Sequence, residues 1–404
     1  MTQRIDFMQA RDILVSAIEK KEGEILPIEK AYGRVCFEDV EALVNVPAFD
    51  RSPFDGYAFC AGDTAGELPV TLEITEEIPA GSEPSIEITS GFAAKILTGA
   101  PVPKGVDAVT KFEETDFTDK TVTLKRKYKS DENIIHTGEN IKKGEVIARK
   151  GQVIDAGLAG ALASVSIPEI RVYRIPVIGI ITTGSELVEA GNKVSGGKIP
   201  NSNRYAFEAA VKAAGCIPMY LGAPGDSTGE ISNLLKEGLS ITDAIITTGG
   251  ASVGDYDMAL DALKETGAEI LCGNLALKPG GKCWYGKKDG KLIFSLSGNP
   301  ASAMTNYYAA VLPALRKLSG KEPDYPAFYA YLSEDFGKAG KQPRLIRGNL
   351  EFDDGRVYFR QANQQGNGAL HSMAGMDALA EIPPGNEPLS KGTKVRVHYF
   401  GGLS

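Results

Sequence analysis

The chain is poor in the residues that would make several common enzyme chemistries possible. Five cysteines (Cys36, Cys60, Cys216, Cys272 and Cys283) form an odd set with no CxxC and no Cys/His ligand spacing. That excludes a zinc ribbon and a disulfide framework, and it implies reduced thiols in a cytoplasmic setting. Only three histidines exist, His136, His371 and His398, and none falls within residues 171–322, so a Ser-His-Asp hydrolase built on Ser185 or Ser297 is disfavoured. There is no GxxxxGK[ST] loop and no GxGxxG after a first strand, which argues against an ordinary P-loop kinase or a nicotinamide enzyme. No apolar run reaches the length of a membrane span. The formal charge of −8 over 404 residues comes without a basic run, so neither a broad nucleic-acid surface nor an anionic-membrane surface is expected.

What is abundant is glycine, 46 residues of it, beside 22 prolines. The glycines punctuate a regular alternation between Arg174 and Gly320. The apolar run Arg174 to Ile181 reads as a buried strand closing on Thr182-Thr183-Gly184-Ser185-Glu186. A helix is expected over Asn201 to Ala214, capped by Asn201 or Ser202. A strand over Ile217 to Leu221 ends in Gly222-Ala223-Pro224-Gly225-Asp226-Ser227, and a helix runs from Thr228 to Leu239. A third strand, Ala244 to Thr247, ends in Thr248-Gly249-Gly250-Ala251-Ser252-Val253-Gly254-Asp255. A fourth, Leu292 to Leu296, ends in Ser297-Gly298-Asn299-Pro300 and opens a long helix to about Leu318. Such β-α-β-α-β alternation implies a parallel sheet with right-handed crossovers, with ligands bound outside the carboxyl ends of the strands. Pro300 suits a first helical position, and the free N–H groups behind it suit an anion.

A chain of this length calls for several domains. We expect an α/β multidomain protein: a discontinuous α+β scaffold domain (residues 1–45 plus 133–170), a β-rich inserted domain (46–132), a central doubly wound α/β domain (171–322) and a small C-terminal β-barrel domain (323–404). Short β-prone runs at Phe328 to Leu332, Arg356 to Phe359 and Val395 to Tyr399 suggest the barrel. The irregular stretch Val46 to Phe59, dense in Asp, Arg, Ser and Gly, reads equally as ordinary turn chemistry.

Carboxylates at the strand ends, Glu186, Asp226, Asp255 and Asp257, would crowd one crevice and call for a cation. Oxygen ligands of this kind suit Mg²⁺, which takes one or two carboxylates together with substrate phosphate. The plainer alternative is that Asp226 and Asp255 cap the helices that follow. Lys278-Pro279-Gly280-Gly281-Lys282 offers an ammonium beside a glycine pair, suited to an oxyanion. From the residues alone the reading stops at an α/β crevice that uses Mg²⁺ to hold a phosphate-bearing ligand.

Five motifs in order then resemble one family. Asp50-Arg51-Ser52-Pro53-Phe54-Asp55-Gly56-Tyr57-Ala58 is similar to a DRSxxDGYA loop, and Thr98-Gly99-Ala100-Pro101-Val102-Pro103 to TGAPVP. Thr182 to Leu187 resembles TGxEL, Thr248 to Asp257 resembles GGxSxG…D, and Ser297 to Ala303 stands where the family writes PGNPVSA. The chain thereby resembles the MoeA and gephyrin E-domain family over nearly its whole length. The resemblance implies a molybdopterin-binding type of α/β domain. It implies Mg²⁺-dependent insertion of molybdate into adenylylated molybdopterin with release of AMP, in a homodimer whose cleft is shared between subunits. By the same resemblance Asp55, Glu186, Asp226, Asp257 and Lys278 would be catalytic, with Glu186, Asp226 and Asp257 near the metal. Thr98, Thr183, Gly184, Gly249, Gly250, Ser252, Gly298, Asn299, Arg347 and Ser372 would bind substrate, Asp55 and Thr98 acting in trans. Asn140, Asn274, Asn367 and Ser297 depart from the family pattern, which bears on molybdate against tungstate. A non-catalytic binding or scaffolding paralogue, or a nucleotide-pyrophosphate hydrolase on the same fold, remains open at this point.

Overall fold

Two strands buried from end to end explain how the central domain is built. Val177–Thr182 (β1) and Ala244–Thr248 (β3) carry almost no exposed residue, the burial expected where helices cover both faces of a parallel sheet. The structure, a computed structural model, describes residues 4–19, 22–250, 257–337, 340–385 and 387–401. Between β1 and β3 lie helix α1 (Ser202–Ala213), capped by Asn201, strand β2 (Ile217–Gly222) and helix α2 (Thr228–Ile241). Helix α3 (Met258–Glu265), strands β4 (Glu269–Gly273), β5 (Cys283–Lys288) and β6 (Lys291–Leu296) follow. The last helical run starts as α4 (Pro300–Asn306), widens to a π segment over Tyr307–Val311 and ends as α5 (Leu312–Leu318).

The sheet order is β2-β1-β3-β6-β5-β4. The first four strands are parallel, and β5 and β4 add an antiparallel edge, so the sheet is mixed where the sequence suggested a parallel one. Successive residues alternate between two apolar layers. Ile178, Ile180, Ile246 and Phe294 pack with Phe207 and Val211 of α1 and with Ala303 and Tyr307. Ile181, Ile245 and Ile293 pack with Ile231 and Leu235 of α2 and Leu263 of α3. The domain is thus doubly wound, as expected.

Five strands, β7 (Ala327–Leu332), β8 (Arg344–Asp353), β9 (Arg356–Gln361), β10 (Ala378–Ile382) and β11 (Lys394–Tyr399), close into a barrel in the order β7-β9-β8-β10-β11. Its interior is filled by side chains such as Phe336, Ile346, Phe359 and Val397. The sequence had marked β7, β9 and β11 only. With the N-terminal helix Phe7–Ser16, these elements form one of two compact units, Met1–Glu24 with Tyr173–Ser404.

The other unit, Ile25–Val172, holds a six-stranded sheet between two apolar clusters. A third cluster lies against the helix Ala156–Ser164. Strand Gly56–Phe59 lies between Ala108–Lys111 and Phe92–Ile96. A Cβ at Gly56 would stand 1.7 Å from the Thr110 carbonyl oxygen, so this position of the DGYA loop admits glycine alone. Among the described residues no helix is long and apolar enough to cross a membrane.

Candidate functional site

Register places the four loops on one rim. Thr182 pairs with Thr248 and Thr248 with Leu296, while Ile181 stands opposite Gly222. The strand order turns back between β1 and β3, the switch point where an open α/β sheet leaves a crevice. The loops are also bonded to each other there. The Thr183 N–H donates to the Thr248 carbonyl (2.8 Å), and the Gly249 N–H to the Leu296 carbonyl (3.1 Å). Asn203, in the first turn of α1, donates through Nδ2 to Thr248 Oγ1 (3.2 Å) and to the Gly298 carbonyl (3.0 Å). Thr183, Gly184, Gly249, Gly250, Gly298 and Asn299 therefore lie on one rim, while Ser252 and Asp255 fall outside the described residues.

The carboxylates of this rim differ in what they are free to do. Asp226 is exposed and, among the described residues, receives only the long contacts of Ser185 N (3.5 Å) and Oγ (3.4 Å). Glu186 is exposed too, its Oε2 2.6 Å from where a Cβ on Gly184 would stand. Asp257 is committed on both oxygens. Oδ1 caps α3 at Leu260 N (3.4 Å), and Oδ2 accepts from Trp284 Nε1 (2.7 Å). The plain cap suggested for Asp226 belongs instead to Ser227, which accepts from Glu230 N. Among the described residues no group of three or more His, Cys, Asp or Glu is arranged to hold a metal ion. Among the described residues, Glu186 and Asp226 are the open carboxylates the rim offers a cation.

Beside Ser297 and Asn299 opens a pocket of about 310 Å³, lined by Arg4, Lys278, Lys282 and Arg344 together with Asn274, Ser302, Gln342 and Asn367. None of its lining residues is acidic, so it is a cationic, amide-rich recess suited to a compact anion. Lys278 is exposed, and its main chain is fixed by Pro343 O (3.1 Å) and Leu345 N (3.0 Å) at the start of β8. The helix α4 contributes less than an uncapped terminus would. Pro300 has no N–H, and the Ser302 N–H is taken by the Asn367 carbonyl (3.2 Å). Arg4 and Arg344 had no signal in the sequence, since each reaches the pocket from a different element, whereas Ser302 lies within the Ser297 to Ala303 motif.

Arg347 and Ser372 are brought together, with the guanidinium away from solvent. The Arg347 guanidinium is fully buried. Nε donates to Ser372 Oγ (3.0 Å) and Nη2 to the carbonyls of Gln364 and Gly366 (both 3.1 Å). Nη1 has no partner among the described residues, and burial pushes the arginine pKa down from its usual value. It is Arg344, not Arg347, that lines the pocket.

In the Ile25–Val172 unit, Asp55 and Thr98, 43 positions apart, meet directly. Asp55 Oδ1 accepts from the Thr98 N–H and from its Oγ1, each at 2.7 Å. Those two donors hold the exposed carboxyl below its ordinary pKa. Lys111 Nζ sits over the neighbouring Phe54 ring at 4.2 Å.

Comparison with known proteins agrees with this construction along the whole chain. Residues 5–166 match the MoeA N-terminal region (domain I and II), residues 179–317 a probable molybdopterin binding domain, and residues 329–400 the MoeA C-terminal region (domain IV). The chain is 35% identical over 374 residues to a molybdopterin molybdenumtransferase of Staphylococcus epidermidis, covering 92% of this chain and 89% of that one. It is 34% identical over 388 residues to that of Bacillus subtilis, covering 94% and 90%. A crystal structure of the molybdopterin biosynthesis MoeA protein of Pyrococcus horikoshii superposes with a TM-score of 0.89 at 29% identity, covering 99% of this chain and all of that one. With three domain matches in order and relatives above 30% identity over nine-tenths of its length, the chain belongs to the MoeA family, the molybdopterin molybdenumtransferases of molybdenum cofactor biosynthesis.

Proposed function

We propose that this enzyme inserts molybdate into adenylylated molybdopterin with release of AMP. The observation that carries the reading is contiguity. The acid-free pocket at Lys278 shares Ser297 and Asn299 with the rim where the glycine loops converge. An oxyanion held at the ammonium of Lys278 and the guanidinium of Arg344 would lie beside a phosphate-bearing ligand seated on Thr183, Gly184, Gly249 and Gly250. Such juxtaposition lowers the entropic cost of joining two anions that repel in water.

Mg²⁺ fits Glu186 and Asp226, because the ion takes one or two carboxylates and completes its shell with substrate oxygen and water. When bound it would offset the charge of the phosphoanhydride as AMP leaves. Asp257 positions Trp284 and caps α3 rather than standing open to a cation. Asp55 and Thr98 supply a carboxylate held ionised by two donors, and on the homodimer reading they serve the cleft of the partner subunit. Arg347, locked by Ser372, supports the wall that carries Gly366 and Asn367. The five unpaired cysteines accord with a reducing cytoplasm.

The test is AMP release from adenylylated molybdopterin by the full chain with Mg²⁺, with and without molybdate. Molybdate-dependent release is expected. Release that ignores molybdate would point instead to a pyrophosphate hydrolase, and none at all would defeat the proposal.

A further inference from the structure

The turn that carries Lys278 rests on one face of the helix beneath it. Ser302 and Asn306 are four positions apart, so both side chains leave the helix on the same side. Ser302 Oγ accepts from the Gly280 N–H (3.0 Å), and Asn306 Nδ2 donates to the Gly280 carbonyl (2.7 Å). Both polar groups of one glycine are thereby tied to a single helix. The approach is close: Gly280 has φ +96, and a Cβ there would stand 3.1 Å from Asn306 N and from the Ser302 carbonyl oxygen.

Asn306 is itself held from behind. It is buried, and its Oδ1 accepts from the hydroxyl of the equally buried Tyr285 on β5 (2.6 Å). This second bond fixes which end of the amide faces Gly280, because the carbonyl of Gly280 requires the NH₂ end. The helix changes character at this residue. The π segment Tyr307–Val311 begins directly after Asn306, and π turns are uncommon distortions of α-helices that occur frequently at functional sites. Tyr307 then points away, donating to the Ala210 carbonyl of α1 (2.8 Å).

Gly280 and Ser302 line the cationic pocket, whereas Asn306 and Tyr285 do not. We propose that Asn306, oriented by Tyr285, is a positioning residue for the oxyanion site: it sets the level of the Pro279–Gly281 floor, and with it the reach of Lys278, without touching the ligand. The inference rests on the anion reading of that pocket, and its test separates the two. Tyr285→Phe keeps the ring and removes the backing bond, while Asn306→Asp keeps the shape and replaces the donor with an acceptor facing the Gly280 carbonyl.

Two measurements on the full chain decide the matter. Calorimetric titration with molybdate alone should show affinity weakened about tenfold in each variant, the size of one lost buried hydrogen bond, with affinity for adenylylated molybdopterin unchanged. Hydrogen–deuterium exchange of the peptide spanning Leu275 to Cys283 should quicken, with the rest of the α/β domain at the parent rate. Molybdate affinity and exchange both within twofold of the parent in Tyr285→Phe would overturn the proposal. So would an equal loss of affinity for both ligands, which marks a purely structural pair. If the parent binds molybdate yet releases no AMP, the functional proposal fails while these comparisons still decide the role of Asn306.

Discussion

Substituting alanine at each of two adjacent glycines, Gly249 and Gly250, tests how tightly the rim is closed. Gly249 has φ +101, and a Cβ there would lie 2.3 Å from Thr183 Oγ1 and 2.5 Å from the Thr183 carbonyl oxygen. The hydroxyl can rotate away, but the carbonyl belongs to a backbone whose N–H is bonded to Thr248. An L residue at such a φ costs about 1–2 kcal/mol, and forcing a methyl into a closed contact adds about 1–3 kcal/mol. Gly249→Ala should therefore destabilise the domain by roughly 2–5 kcal/mol, or about 5–20 °C in Tm for a domain of this size. Gly250 has φ +69, and among the described residues its Cβ would meet nothing nearer than Ala259 N at 3.5 Å, an ordinary contact. Gly250→Ala carries only the conformational term, about 1–2 kcal/mol. The assay is intrinsic fluorescence during thermal unfolding, because the chain has one tryptophan. Trp284, with its indole N–H on Asp257, reports this domain alone. Equal Tm losses in the two variants, or a larger loss at Gly250, would refute the packing described for the switch point.

Three other outcomes are expected. Lys278→Met should weaken molybdate binding about tenfold at low salt, the water-screened Coulomb attraction of one exposed ammonium for a dianion. The deficit should shrink at 0.5 M salt in parallel calorimetric titrations; a salt-independent loss would rule out a charge effect. Asp50 is held below its ordinary pKa chiefly by the hydroxyl and N–H of Thr137, with His136 adding to it. Its stabilising contribution is present above the unfolded pKa near 4 and is lost as pH falls through the lower folded value, so Asp50→Ala should lower the urea midpoint at pH 7, with a deficit that shrinks as the pH is taken below about 4. Ser372→Ala removes the acceptor of the buried Arg347 Nε and should cost about 1.5–3 kcal/mol in denaturant unfolding, the range for hydrogen bonds to charged groups.

The parts of this fold that could be read from sequence are those where burial and composition coincide. Val177–Thr182 and Ala244–Thr248 are apolar because both faces are covered, and their glycine-rich ends follow from the crossovers that parallel pairing requires. The antiparallel edge was less legible, since Glu269–Gly273 is only half-buried, unlike Ala244–Thr248, and its partner follows directly on a glycine-rich turn. In the barrel, Ala378–Ile382 is composed of good helix formers, and Arg344–Asp353 is interrupted by Gly348. Pairing with neighbouring strands decides both. Gly348 is required because a Cβ would meet the Arg360 carbonyl oxygen at 2.1 Å. The rim residues were found because each lies within its own loop. Arg344 and Arg4 were not, because the pocket draws them from a strand of the barrel and the N-terminal segment. Arg347 and Arg344 show the same difficulty at short range, an odd spacing on one strand sending one guanidinium inward and the other to the pocket.

The two bonds from Lys278 to Pro343 and Leu345 tie the lysine of the cationic pocket to the start of the C-terminal barrel. A truncated chain ending near Gly320 would lose Tyr325, Leu345, Leu379 and Phe400 from the core they share with Phe294 and Tyr307. It would present the lysine on an unbraced turn, with no opposing guanidinium from Arg344 and no amide from Asn367.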